Sequence, residues 1–459
     1  MSEQGSGSFA RASNFTEIKI TKPNRDIIVE SRGKTIGFNY YESVYSPMIT
    51  ATMLELDAGG SVVVEDKDVR GTLKDALPVE GFERVSFVIT SVSGELNFKK
   101  NPMVITGSPG NIDQNTRQSA FFPMVSRFAI ENAKKPLSAI YPEAKISDTV
   151  KKILQQYKFP IAPDSRDKDG KYYNIEESSN VDKVSGDHDS PLDVILQLCK
   201  KSIPANGKDP GYFFFETQDG FVFKSIDGLI RDGIQNYNED GNYKALHSYE
   251  YRNSLSADPS DESKNNFKIM LAPLVMQDQD QLRALRNGKY NVRICTMNTL
   301  THEYTERVEN LLSSSNLGDK QETTELVDKK DFLKTYTYMI NPGADEVGVS
   351  EKVINSPSNY EPKANMRYSL LHSQIVNVQV PCNVNLKAGD VIFINIENIT
   401  QDDKITYKYN EHRSGFYLIL HLCHHFDTGN SYTSMTLARD TYGKQRSTKW
   451  VNILHLHLL

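Results

Sequence analysis

The chain is 459 residues long, with 24% charged residues, 38% hydrophobic residues and a formal net charge of -6. That length exceeds one ordinary core and calls for roughly two to four domains. The acidic balance argues against a dedicated nucleic-acid binder, whose surface is normally basic, and no stretch reaches the ~18 apolar residues that a spanning helix needs.

Residues 1–14 are polar and Gly/Ser-rich, lack the apolar centre of a signal peptide, and read as a flexible arm. Residues 15–117 are β in pattern: Ile18 and Ile20 alternate with polar neighbours, and strands follow at 27–29, 36–38, 50–56, 61–64, 85–92 and 95–98. Turn residues at 32–34, 57–60 and 93–94 punctuate them, the pattern of a barrel or sandwich. At residue 118 the character changes, and 118–235 reads as a small mixed α/β domain. Apolar residues at helical spacing mark helices at 126–134, 145–157 (with Ser147 as the cap) and 190–201, where Pro191 suits a first turn. The hairpin GYFFFETQDGFVFKSI follows, with Asp219-Gly220 at its turn.

Residues 236–366 read as a mixed, loop-rich region, partly inserted, with strands at 243–252, 267–273, 290–296 and 332–340. Residues 367–443 return to clear β. There Gly389-Asp390 turns into a strand with Val391, Phe393 and Asn395 on one face and Ile392, Ile394 and Ile396 on the other. Two matched strands then meet at Asp427-Thr428-Gly429-Asn430, residues that tolerate a tight hairpin. Residues 444–459 form a tail that is basic first and apolar after.

No run of residues builds a familiar catalytic centre. GxSxG, HExxH and P-loop patterns are absent, and no cofactor is expected. Cys199, Cys295, Cys382 and Cys423 are far apart, which predicts free thiols in a reducing compartment. His421, Cys423 and His425 share one strand face but spread over about 13 Å, too wide for one tetrahedral ion with bonds near ~2 Å, so no metal is expected there. Asp167, Asp169 and Glu176 fall on calcium-loop positions, but Ser165 replaces the first acidic ligand and no exit helix follows; an ordinary solvated turn is the simpler reading. Glu176-Glu177 and Asp402-Asp403 read as loop charges rather than a glycosidase dyad. The aromatic run Tyr212 to Phe215 reads as hairpin core, with Tyr212 or Phe214 free to face a partner.

FNYYESVYSPMITATMLELDAGGS (38–61), SPLDVILQLCKKS (190–202) with GYFFFETQDGFVFKSIDGL (211–229), and GDVIFINIEN with GFYLILHLCHHF and YTSMTLARDTYGK occur in that order. Together they resemble the central baseplate hub proteins of contractile-tailed phages, relatives of the base of type VI secretion spikes. The resemblance implies a mainly β fold: two tail-tube-like barrels (15–117, and 367–443 with strands from the preceding region) flanking the mixed α/β domain. It also implies a non-enzymatic structural subunit of the virion baseplate, assembled in the host cytoplasm. Three chains would form an adaptor between a six-fold tail tube and a three-fold spike, touching tube protein, spike protein and baseplate neighbours. DNA would pass through the channel without specific binding. A sugar-targeting or sugar-cleaving tail protein, and the spike base of an injection or secretion system, are the alternatives. Thr50, Thr52, Leu54, Tyr432, Ser434 and Thr436 are expected at the oligomer interface, and Trp450, Ile453, Leu454 and Leu456 at a partner-docking tail.

Overall fold

The computed structural model describes residues 13–22, 28–57, 62–64, 69–71, 79–107, 110–114, 117–163, 174–205, 209–251, 270–278, 280–299, 301–310, 334–340, 356–397, 409–410, 413–427 and 429–441. The first block contributes β1 (Ser13–Thr21), β2 (Ile28–Glu30), β3 (Thr35–Ser43), β4 (Thr50–Asp57), β5 (Val62–Val64) and β6 (Val69–Gly71). It continues with β7 (Arg84–Ser91), β8 (Gly94–Asn97), β9 (Met103–Ile105), β10 (Gly110–Gln114) and β11 (Arg117–Val125). The mixed block holds α1 (Arg127–Lys134), β12 (Ile140–Lys145), α2 (Ile146–Gln156), β13 (Val181–Ser185) and α3 (Pro191–Lys201). It ends with the hairpin β14 (Tyr212–Thr217) and β15 (Gly220–Ser225), then α4 (Ile226–Glu239) and α5 (Gly241–Leu246). Next come β16 (Ser248–Tyr251), β17 (Met270–Asp278), α6 (Gln281–Arg286), β18 (Asn291–Asn298), β19 (Tyr304–Asn310), β20 (Lys334–Ile340) and α7 (Pro357–Leu371). The last strands are β21 (Gln374–Pro381), β22 (Val391–Ile396), β23 (Gly415–Asp427) and β24 (Tyr432–Arg439).

The class is the one read from the sequence, mainly β with an α/β insertion, but the barrels are not closed among the described residues. The main path runs β17-β21-β24-β23-β3-β4-β11-β9-β7-β1-β2, so the two β-rich blocks share one sheet of 15 strands. The join is the antiparallel pairing of β3 with β23, from His421 opposite Ser43 to Asp427 opposite Gly37. Strand β23 is long enough, at 13 residues, to have two partners on one edge. Its first part pairs with β22, and its second part, beyond a register shift between Ile419 and His421, pairs with β3. A bulge of this kind bends a strand and increases its twist. The Leu420 carbonyl at the bend accepts from the Val44 amide at 3.0 Å, which anchors the end of β3.

Strand β4, and β3 beyond the irregularity at Thr35–Gly37, alternate because successive side chains on a strand point to opposite faces. Phe38, Tyr40, Ala51 and Met53 point inward with Phe87, Phe122 and Met124. Cys382, Val384 and Phe426 from the last block enter the same core. Strand β22 is buried on both faces: Ile392, Ile394 and Ile396 join the core of the last block, while Val391 packs among Ile226, Leu229 and Ile230 of α4. Gly389 opens that turn at a φ of 85°, and a Cβ there would come within 2.7 Å of the Phe215 ring. The β23–β24 hairpin closes through Ser431, whose Oγ accepts from the Asp427 amide at 3.0 Å and donates to the Asp427 carbonyl at 2.8 Å.

Several local expectations are corrected. Residues 243–246, read as the start of a strand, belong instead to the helix α5, started by the Asp240 side chain accepting from the Asn242 amide. The N-cap of α2 is Lys145 rather than Ser147, whose amide donates instead to the Ser178 hydroxyl at 3.0 Å. Helix α7 occupies the end of the stretch read as loop-rich; it carries an internal Pro362 and buries residues on several sides, so no single apolar stripe announces it.

Helix α7 also carries a fully buried cation. Arg367, fully buried, donates to the Asp227 carboxylate at 2.9 and 2.6 Å and to Asp440 at 3.1 Å. It thereby ties α7 to the first turn of α4 and to the end of β24. Arg367→Met should lower the unfolding free energy by about 3–5 kcal/mol, because two carboxylates are left in a dry site. Urea titration of the full chain measures it.

Candidate functional site

The feature that both β-rich blocks build together is the outward face of β21, β24, β23, β3, β4 and β11. Cross-strand partners share a face, so the registers give its composition directly. One row runs Asn377, Thr436, His421, Ser43. The next runs Gln379, Ser434, Cys423, Tyr41, Thr50, Val125. The third runs Pro381, Tyr432, His425, Asn39, Thr52, Pro123, and the fourth Asp427, Gly37, Leu54, Phe121. These rows contain no lysine, arginine or glutamate, and their one acid, Asp427, sits at the hairpin end.

The side chains of this face bind one another. Thr436 Oγ1 donates to Asn377 Oδ1 at 2.9 Å and Asn39 Nδ2 donates to Thr52 Oγ1 at 3.3 Å. His425 Nδ1 hydrogen-bonds Asn39 Oδ1, and its ring lies 4.7 Å from that of Tyr432. Tyr45 bridges outward to the mixed block: its hydroxyl meets His372 Nε2 at 2.7 Å, its ring lies 5.4 Å from His421, and Phe213 meets it edge-on at 5.3 Å. A shallow cavity of about 510 Å³ lies over β3, β21, β23 and β24, lined by His421, Cys423, Tyr41, Ser434, Thr436 and Asn377 among others.

Burial favours the neutral forms of His421, His425, Tyr41 and Cys423 on this face. Burial lowers His421 and His425 below the usual imidazole range, with neighbouring His372 adding to the shift at His421. Burial also raises the Tyr41 phenol and pushes the Cys423 thiol up to about 11. The fully buried His424 on the opposite side is driven down to about 4, and its Nδ1 lies 2.9 Å from Thr433 Oγ1. The face therefore carries almost no charge at neutral pH.

The structure brings Thr50, Thr52, Leu54, Tyr432, Ser434 and Thr436 onto this one face, although they lie in separate blocks of the sequence. It does not give their strands a free edge: β4 pairs with β3 and β11, and β24 pairs with β21 and β23. Asp167, Asp169, Asp402, Asp403, Trp450, Ile453, Leu454 and Leu456 lie outside the described residues. Glu176 is engaged elsewhere: its Oε2 accepts from the Ser225 amide at 2.7 Å and hydroxyl at 2.6 Å, bracing the start of α4. Glu177 pairs with Lys145, so the adjacent acids do not act as a pair. Tyr212 and Phe214 are both core residues, at 1% and 2% exposure, and offer no surface to a partner or a sugar. Among the described residues no three acidic, histidine or cysteine side chains cluster as metal ligands, and no helix is long and apolar enough to cross a membrane.

Sequence reasoning missed Glu42 and Glu216, buried carboxyls behind this face. Their signal was faint: an acid at an inward position of an otherwise apolar-inward strand, as Glu42 is in FNYYES.

No protein-family model matches the sequence. The chain is similar to the probable baseplate hub protein gp334 of the Vibrio phage KVP40, with 21% identity over 454 residues, 93% of this chain and 95% of that protein. In fold it is similar to a 43 kDa tail protein of prophage MuSo2 from Shewanella oneidensis, with a TM-score of 0.50, 7% identity, and coverage of 92% of this chain and 98% of that one. A tail protein from Neisseria meningitidis MC58 aligns over 92% of this chain and 96% of its own, with a TM-score of 0.49 and 8% identity. The chain thus resembles a baseplate hub protein along nearly its whole length.

Cys423 is the one partly exposed thiol, since Cys199, Cys295 and Cys382 are buried. Native protein should therefore take up one maleimide per chain and denatured protein four. The native rate should climb about tenfold per pH unit between pH 7 and 10, because the thiolate is the reactive form and the thiol titrates near 11. Mass spectrometry of the labelled chain checks both.

Proposed function

We propose that this chain is a structural, non-enzymatic subunit of the baseplate hub of a contractile phage tail. Three copies close into a ring, adapt a six-fold tail tube to a three-fold spike, and contact neighbouring baseplate proteins. The observation that carries this reading is the uncharged six-strand face shared by both β-rich blocks. A channel wall that let DNA slide should offer hydrogen-bonding groups without the lysines and arginines that hold phosphates by counterion release. That face suits such a wall.

The six residues expected at the oligomer interface then belong to the lumen. Their strands are hydrogen-bonded on both sides, so subunit contacts fall to the ends of the sheet, where strand edges need covering. Closing a ring covers those ends without leaving a growing filament. The apolar tail residues Trp450, Ile453, Leu454 and Leu456 are the proposed docking element for a baseplate neighbour.

Light scattering of the full chain should give three times the 51.9 kDa of one chain, and imaging should show a ring with Cys423 on its inner wall. Thr52→Glu and Thr436→Glu should leave the trimer mass unchanged, whereas a lumen-sized blocking label on Cys423 should be excluded from the assembled ring. A monomer at working concentration, or a ring with this face outward, would overturn the reading. Removing residues after Lys444 should leave folding and trimer mass intact while weakening capture of the baseplate neighbour. A truncated chain that no longer folds would instead assign the tail to the core.

A further inference from the structure

The three blocks meet on two buried carboxyl groups that have no role in lining the sheet face. Glu42 of β3 is 2% exposed. One of its oxygens accepts from the Tyr40 hydroxyl at 2.7 Å and the Gln218 amide at 2.8 Å, and the other from the Ala388 amide at 2.9 Å. It therefore ties the first block to the turn of the β14–β15 hairpin and to the turn before β22. Glu216 of β14 is 3% exposed and returns the link: its oxygens accept from the Ile49 amide at 3.1 Å and the Ser126 hydroxyl at 2.7 Å.

We propose that Glu42 and Glu216 form a proton-dependent latch, which holds the mixed block against the sheet while it carries a proton and loosens when both carboxyls ionise. The charges around it fit that role. The β14–β15 turn brings Asp219, and the turn before β22 brings Lys387 and Asp390. Lys387 is bound to Asp219, so this cation is already matched by an acid. Tyr40 adds a phenol that burial and the neighbouring acids keep protonated. From the α1 side Glu216 meets the uncharged Ser126 hydroxyl, which can turn to accept a proton from it. Two acids in a dry joint, whose neighbouring cation Lys387 is shared with Asp219, cannot both ionise cheaply.

Burial lifts Glu42 to about 7 and Glu216 to about 8, the nearby Glu42 charge adding to the shift at Glu216. Their ordinary value is 4.5. Between that pH and about 8 the folded chain holds protons that the unfolded chain has released. Stability should then fall as pH rises through this window and level off above it. Each such proton is worth about tenfold in the folding constant per pH unit.

The test is denaturant unfolding of the full chain from pH 5 to 9, with amide exchange followed at Ile49, Gln218 and Ala388. Glu216→Gln is the informative variant. Its side-chain oxygen can take the Ile49 amide and its NH₂ can donate to Ser126, so it imitates the protonated acid. The expected result is a folding constant that drops across the window in the parent and drops about tenfold less per pH unit in the variant. The three amides should exchange faster above pH 8 than their intrinsic base-catalysed rise. Equal slopes in parent and variant, or amides that follow only the intrinsic rise, would overturn the latch. If Glu216→Gln fails to fold, the exchange of the parent chain alone decides it.

Discussion

The pairing of β3 with β23 is the constraint from which the rest of the structure follows. It joins residues nearly four hundred positions apart, from Ser43 with His421 to Gly37 with Asp427. Closing so long a loop costs entropy only slowly with length, and the seven paired positions are backed by a shared core. Phe426 sits in the first block's core beside Phe38, with ring centroids 6.4 Å apart. Without this seam the two β-rich blocks would each have a raw edge. With it, their outward faces become one surface.

The distribution of charge across that seam is uneven in an informative way. The outward face carries amides, hydroxyls, imidazoles and a thiol beside a few apolar side chains and one acid at its end, and burial pushes His421, Cys423 and His425 toward neutrality. The buried charged and titratable groups sit at the joints behind it. Arg367 between Asp227 and Asp440 binds α7 to α4 and β24, and Glu42 and Glu216 bind the hairpin β14–β15 to its neighbours. A buried charge network is costly unless every partner is present. Such joints therefore specify which blocks dock where more than they add stability, whereas the apolar clusters supply the driving force.

Legibility in the sequence followed period and punctuation. Segments such as FNYYES and YTSMT alternate between inner and outer face, and the helix PLDVILQLCKK carries a proline in its first turn; these patterns exist because one face of each is buried and the other is not. The same logic explains the failures. Helix α7 is buried on several sides and includes Pro362, so it lacks the stripe that marks an amphipathic helix. Glu42 went unnoticed, because the sequence carries no sign that amides from two distant turns converge on it.

The sequence by itself determined the class of the fold, the alternation that sorts each strand into an inner and an outer face, and the family resemblance carried by the order of its motifs. These are local properties, set by side-chain period and turn chemistry within a dozen residues. Only the tertiary structure decided that the two β-rich blocks form one continuous sheet rather than two closed barrels. It alone placed Thr52 and Tyr432 in the same row and left β4 and β24 without free edges. The reason is that strand pairing is a choice between distant segments with nearly equal hydrogen-bonding capacity. That choice is settled by which faces can be buried together, and no window of the sequence contains both.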